Sequence, residues 1–204
     1  MGTTAEDSLN PETISGGHLV AKALRNEGVD TIFTLSGGNI VDIYDGCVSE
    51  GIRIIDFRHE QVAAHAADGY ARQTGQTGCL VTTAGPGCCN AVIGLATALR
   101  SETPLLHIGG QGATTQYLQG SLQEYDHVKL MSPVTKWASS VKTTERVADS
   151  IRVIALDGNL SGSKSDGYSN VTIEVTEDQA LALSSASGIR LVALPETGET
   201  SNAE

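Results

Sequence analysis

Residues 78–99 read GCLVTTAGPGCCNAVIGLATAL. The run GCLVTTA (78–84) is apolar and of strand length, and a Gly-Pro-Gly turn at Gly85, Pro86 and Gly87 cuts it off. The small apolar stretch AVIGLATAL (91–99) follows shortly after. Proline favours such a position near a helix N-terminus. A buried strand that passes through a glycine turn into a helix is the repeating unit of an α/β sheet. A strand apolar along its whole length suits a sheet covered on both faces.

The alternation continues in both directions. Upstream, Leu19, Val20, Ala23 and Leu24 have helical spacing, and Gly28 is a stop signal. TIFTL (31–35) then predicts a strand ending at Gly37-Gly38, followed by a short helix around 40–47 and a strand at RIIDF (53–57). In FRHEQVAAHAADGYAR (57–72) the charged triplet Arg58-His59-Glu60 opens an alanine-rich helix. Downstream, PLLHIGG (104–110) predicts a buried strand, TKWASSV (135–141) an edge strand and VTIEV (171–175) a final strand. Between the last two, TTERVADSIRVIAL (143–156) has helical periodicity with Thr143 or Thr144 as cap. The fold expected is α/β: three layers, with a mostly parallel sheet flanked by helices. It should occupy 14–180, between polar tails at 1–13 and 181–204. Open sheets of this kind put ligands beyond the carboxyl ends of their strands. The segments SGGN (36–39), RHE (58–60) and AGPG (84–87) should therefore share one rim.

Bulk composition removes several function classes. The net charge is −11, but 1–12 hold three acids and no base, and 157–204 hold eight acids and two bases. The acidity thus belongs to the ends, and no basic stripe suggests a nucleic-acid footprint. No run approaches the length of a membrane span, and the polar first dozen residues do not form a secretory signal, so a cytoplasmic protein is expected. The four cysteines, Cys47, Cys79, Cys88 and Cys89, lack CxxC spacing and read as small buried thiols. His59 and His65 stand six apart, so they do not share a helical face as zinc ligands would, and no metal site is expected within the chain. GGQGA (109–113) falls short of a dinucleotide loop, and neither a phosphate-binding GxxxxGK[ST] nor a GxSxG nucleophile turn occurs. Taken alone, TTAGPGCCN (82–90) reads equally as an ordinary strand-to-helix turn.

In order, the chain carries LSGGNIVDIYDGC (35–47), RHEQVAAHAADGYAR (58–72), TAGPGCCNAV (83–92) and GSLQEYDHVKLMSPVTKW (120–137). This series resembles the N-terminal, pyrimidine-binding domain of thiamine-diphosphate enzymes in the acetolactate synthase, benzaldehyde lyase and 2-hydroxyacyl-CoA lyase group. The resemblance implies a role for each matching residue. Glu60 would bond to N1′ of the cofactor's aminopyrimidine and favour the tautomer that removes the thiazolium C2 proton. That role requires a carboxyl sharing a proton in a site kept from water. Thr83, Gly85, Pro86, Gly87 and Asn90 would lie along the pyrimidine, and Gln123 would reach the reacting centre. Gly37, Gly38 and Asn39 would form a loop near the substrate, with Asn39 where relatives often carry histidine.

The resemblance further implies transferase or lyase chemistry on a 2-keto acid or aldehyde, as in branched-chain amino acid biosynthesis. The cofactor would be thiamine diphosphate, with Mg2+ held by a diphosphate-binding domain through a Gly-Asp-Gly motif. That motif is missing from this sequence. Full-length members of the group can also hold FAD, for which no site is read here. The implied partner is a second copy in a dimer or other homo-oligomer, or a separate diphosphate-domain subunit, and the lone chain is expected to be inactive. A fragment of a longer enzyme, a silent binding or regulatory module of the same fold, and an unrelated nucleotide-binding domain remain as alternatives.

Overall fold

A computed structural model describes residues 14–117, 119–142, 146–147 and 170–176. Among the described residues six strands form one sheet: β1 (Thr31–Leu35), β2 (Arg53–Asp56), β3 (Gly78–Thr82), β4 (Leu105–Gln111), β5 (Trp137–Val141) and β6 (Asn170–Thr176). Their order is β2-β1-β3-β4-β6-β5, and every neighbouring pair is parallel. Parallel neighbours need crossovers, and helices α1 (Gly16–Asn26), α2 (Val41–Ser49), α3 (Glu60–Thr74), α4 (Pro86–Arg100) and the short α5 (His127–Met131) flank the sheet.

Alternation along the strands builds two cores. Ile32, Cys79, Val81, Leu106 and Ile108 face one way, onto Val20, Ala21 and Leu24 of α1 and Ile43 and Cys47 of α2. Phe33, Leu80 and Leu105 face the other way, onto Ala63, Ala64 and Ala67 of α3, Ala91, Leu95 and Ala98 of α4, and Met131 of α5. This is the three-layer α/β arrangement expected from the sequence. Each fully buried Leu or Ile contributes about 1.5–3 kcal/mol to it. The low aromatic content forces close packing of small residues. A Cβ added to Gly94 would lie 2.4 Å from that of Ala64, so the α4 backbone packs directly on the Ala64 methyl of α3.

Local signals account for the element ends. Ser15 caps α1 through its hydroxyl, which accepts from the His18 N–H, and Gly75 ends α3 in the left-handed conformation at φ 72°. The predicted strands at 31–35, 53–57, 78–84 and 104–110 all occur, each within a few residues of its expected ends. The segment 135–141 supplies the edge strand β5. The final strand enters between β4 and β5, so it is an interior strand. Of the helix expected at 143–156, only Arg146 and Val147 lie within the described residues, and Val147 is buried. The tails at 1–13 and 181–204 lie outside them.

Cys47, Cys79 and Cys88 are buried free thiols. Burial pushes the Cys47 thiol up to about 12 and raises Cys79 as well, so both stay protonated and unreactive. Among the described residues no helix is long and apolar enough to cross a membrane.

Candidate functional site

The chain leaves β1 for β2 on one side and returns to place β3 on the other, so the sheet's direction of winding changes between β1 and β3. The loops leaving these two strands diverge over opposite faces, which opens a crevice where ligands bind in sheets of this type. The β1 loop carries Gly37, Gly38 and Asn39, and the β3 loop carries Thr83 and the turn 85–87. The two loops touch. A Cβ on Gly37 would fall 2.3 Å from Cβ of Thr83, and the Thr83 hydroxyl donates to Oδ1 of Asn39 at 3.3 Å.

Gln123 joins the same point from a third loop. The Thr83 hydroxyl lies 3.5 Å from its Oε1, and its backbone carbonyl presses on Gly85. A Cβ on Gly85 would stand 2.5 Å from that carbonyl oxygen, and Gly85 has φ 56° and ψ −109°, a conformation essentially restricted to glycine. Gln123 is itself at φ 61°, a left-handed conformation uncommon for a side chain of this kind. Glu124 shapes its loop by accepting from the N–H groups of Gly120 and Ser121 at 2.7 and 3.2 Å.

Glu60 approaches from the end of β2. The N-cap of α3 is His59, whose Nδ1 accepts from the Gln61 N–H, so Glu60 is the first helical residue and is not the cap. Its side chain turns inward and is 5% exposed. Oε2 accepts from Nδ2 of Asn90 on α4 at 2.9 Å. Oε1 has no hydrogen-bond partner among the described residues and lies 3.3 Å from where a Cβ on Gly87 would stand. An unpaired carboxylate oxygen that keeps some accessible surface beside a glycine turn is suited to a ligand N–H or to a shared proton.

The structure thus brings Gly37, Asn39, Thr83, Gly85 and Gln123 into one contact group, with Glu60, Gly87 and Asn90 as a second group along the same turn. Gly38 meets nothing within 4 Å of an added Cβ, and Pro86 is exposed at the start of α4. Two buried histidines were not foreseen. His107 Nε2 lies 2.8 Å from the Thr82 hydroxyl, and His127 Nε2 accepts from the Gly85 N–H at 2.7 Å. Complete burial, and secondarily the nearby His127, bring His107 down to about 3, so it is neutral at ordinary pH. No spacing in the sequence could reveal either contact, because both partners come from distant strands and turns. Among the described residues, no three His, Cys, Asp or Glu side chains cluster in a way that would hold a metal ion.

Residues 14–130 match the family of thiamine pyrophosphate enzymes, N-terminal TPP binding domain. The chain belongs to this family. Three curated relatives are similar to this TPP-binding domain. An acetolactate synthase large subunit of Mycobacterium tuberculosis is 38% identical over 182 residues, which is 89% of this chain and 32% of the relative. A 2-hydroxyacyl-CoA lyase 2 of Danio rerio is 44% identical over 137 residues, 67% of this chain and 22% of the relative. The acetolactate synthase isozyme 3 large subunit of Escherichia coli is 42% identical over 137 residues, 67% of this chain and 24% of the relative. The chain spans about a third of these relatives or less.

The residues present fit the pyrimidine end of thiamine diphosphate. The open Oε1 of Glu60 beside Gly87 suits a ring N–H, while glycine at 85 and 87 is required by the chain itself, since an added Cβ would meet the Gln123 carbonyl oxygen at 2.5 Å and Cγ2 of Thr83 at 2.8 Å.

Proposed function

We propose that residues 14–180 are the pyrimidine-holding half of a thiamine-diphosphate carboligase or lyase that acts on 2-keto acids or aldehydes. The observation that carries this reading is the buried Glu60 carboxylate, held by Asn90 with its second oxygen open beside the glycine turn. Thiamine diphosphate, when bound, supplies the carbanion chemistry, and the protein supplies binding, orientation and electrostatics.

Each residue then has a task. Glu60 Oε1 would share a proton with a ring nitrogen of the bound pyrimidine. Asn90 fixes the other oxygen, so the carboxyl cannot rotate away. The turn 85–87 and Thr83 would hold the ring, and burial of Thr83, Gly85 and Gly87 limits water there. Gln123 presents its amide at the substrate side of the crevice, bonded with Asn39 to the same Thr83 hydroxyl, and the open backbone of Gly38 leaves room for the substrate. The proton relay needs little motion, because its carboxyl is already oriented.

The diphosphate and its Mg2+ are assigned to a Gly-Asp-Gly domain outside this sequence, which would complete the site from a partner subunit. The reading includes a cytoplasmic setting and a place in branched-chain amino acid synthesis, both carried from the resemblance to the acetolactate synthase group.

The test adds thiamine diphosphate, Mg2+ and pyruvate to the full chain, with and without the diphosphate-binding part of an acetolactate synthase. Turnover that appears only with the partner and disappears with Glu60→Gln supports the reading. Equal turnover by wild type and Glu60→Gln in that complex would refute it.

A further inference from the structure

The turn 85–87 needs its backbone groups satisfied, because Ala84, Gly85 and Gly87 are buried. Most of its hydrogen bonds stay local. The Gly87 N–H donates to the Ala84 carbonyl at 3.3 Å, the Cys89 N–H donates to the Gly85 carbonyl at 2.9 Å, and Pro86 has no N–H. The Gly85 N–H alone leaves the segment, donating to Nε2 of His127 at 2.7 Å. His127 is 1% exposed, at the first turn of α5, four residues beyond Gln123.

A backbone N–H can only donate, so Nε2 must present its lone pair and the ring proton must sit on Nδ1. The 120–127 segment therefore grips Gly85 twice. The Gln123 carbonyl covers its Cα, at a distance that excludes any Cβ, and His127 holds its N–H. Asp126, next in chain to His127, is occupied in capping α5 through the Lys129 N–H.

We propose that His127 is a positioning residue that clamps the Gly85 turn to the Gln123 loop, so that the floor of the crevice and the Gln123 amide move as one unit. This rests on the site reading above for its meaning in catalysis, though the clamp itself depends only on the hydrogen bond. Gln123 in a left-handed conformation would not stay at φ 61° unless its surroundings held it, and the clamp supplies that restraint. A histidine meets the demands of this position. The acceptor must reach from α5 to a buried N–H while bringing in no charge, and a neutral imidazole does both.

The test uses the 15N-labelled full-length chain at neutral pH. A long-range 1H–15N correlation should show His127 as the Nδ1–H tautomer; the Nε2–H tautomer, or a doubly protonated ring, overturns the proposal. Hydrogen exchange at the Gly85 amide is then compared among wild type, His127→Gln and His127→Leu. Glutamine keeps an acceptor oxygen at similar reach and should hold exchange near the wild-type rate. Leucine removes the acceptor and should speed exchange at Gly85 roughly ten- to a hundred-fold, with resonance shifts extending to Gln123. Unchanged exchange at Gly85 in His127→Leu, or a uniform loss of protection across the whole chain in both variants, counts against the clamp. In the complemented enzyme, His127→Leu should lower kcat more than it raises KM, with His127→Gln restoring kcat. If Glu60→Gln were silent there, the site reading would fail while the tautomer and exchange data still decided the clamp.

Discussion

The side-chain amide of Asn90 donates to Oε2 of Glu60 across the gap between α4 and α3, at 2.9 Å. This bond leaves the carboxyl one open oxygen, and that oxygen faces the turn carrying Gly87. Glu60→Gln keeps the shape and can still accept from Asn90. The variant should therefore fold with a urea midpoint close to wild type, yet lose about 10²–10⁴-fold of turnover in the complemented enzyme. Steady-state kinetics beside denaturation of the same samples checks both halves of the statement.

Asn90→Leu has a different signature. It strips a buried carboxylate of its donor, which should destabilise the fold by about 1–3 kcal/mol. The loss should appear in urea unfolding of the isolated chain, where no turnover is needed to see it.

Gly85→Ala tests the strained turn. Its φ of 56° with ψ −109° is hostile to an L side chain, and the new methyl would stand 2.5 Å from the Gln123 carbonyl oxygen. A destabilisation of at least about 1–3 kcal/mol is expected. Displacement of the Gln123 resonances should accompany it, since turn and loop cannot both keep their places.

Gly94→Ala probes the packing of α3 on α4, away from the crevice. The added Cβ would lie 2.4 Å from that of Ala64, so the helices must separate. Overpacking of this kind costs about 1–3 kcal/mol. Thermal melting should detect it with no change in the His127 tautomer.

His107 governs a pH dependence of stability. Its folded-state value, about 3, lies below the unfolded value of 6.5, so the unfolded chain binds the proton more readily. Its contribution is thus fully present above about 6.5 and is lost as pH falls through that window toward 3, by up to roughly 5 kcal/mol. His107→Gln, which can still bond to Thr82, should flatten this part of the stability–pH curve measured by urea unfolding.

Much of the sheet was legible because strand and helix signals agreed along the chain. TIFTL, GCLVT and LLHIGG are largely apolar runs, and each forms a strand covered on both faces. The edge strand at 137–141 was also readable, with its mixed serines and exposed tryptophan. The interior place of the last strand was not, since strand order depends on which faces the crossovers cover. Around the site, Glu60 and the glycine turn stood out as residue types at strand ends. His107 and His127 gave no such signal, because one sits in an apolar strand and the other opens a short helix after a polar loop.

By itself the sequence determined the elements, the three-layer class and the family pattern, because periodicity and turn chemistry act over a few residues. It also placed the charged triplet at a helix start, but it could not say which member caps the helix. Tertiary structure decided that His59 caps and Glu60 turns inward, because Asn90, thirty residues further on, offers a donor there. The same holds for the coupling of Gly85 to Gln123 and His127. A backbone N–H and a histidine become partners only when a sheet and its crossovers bring them within 2.7 Å.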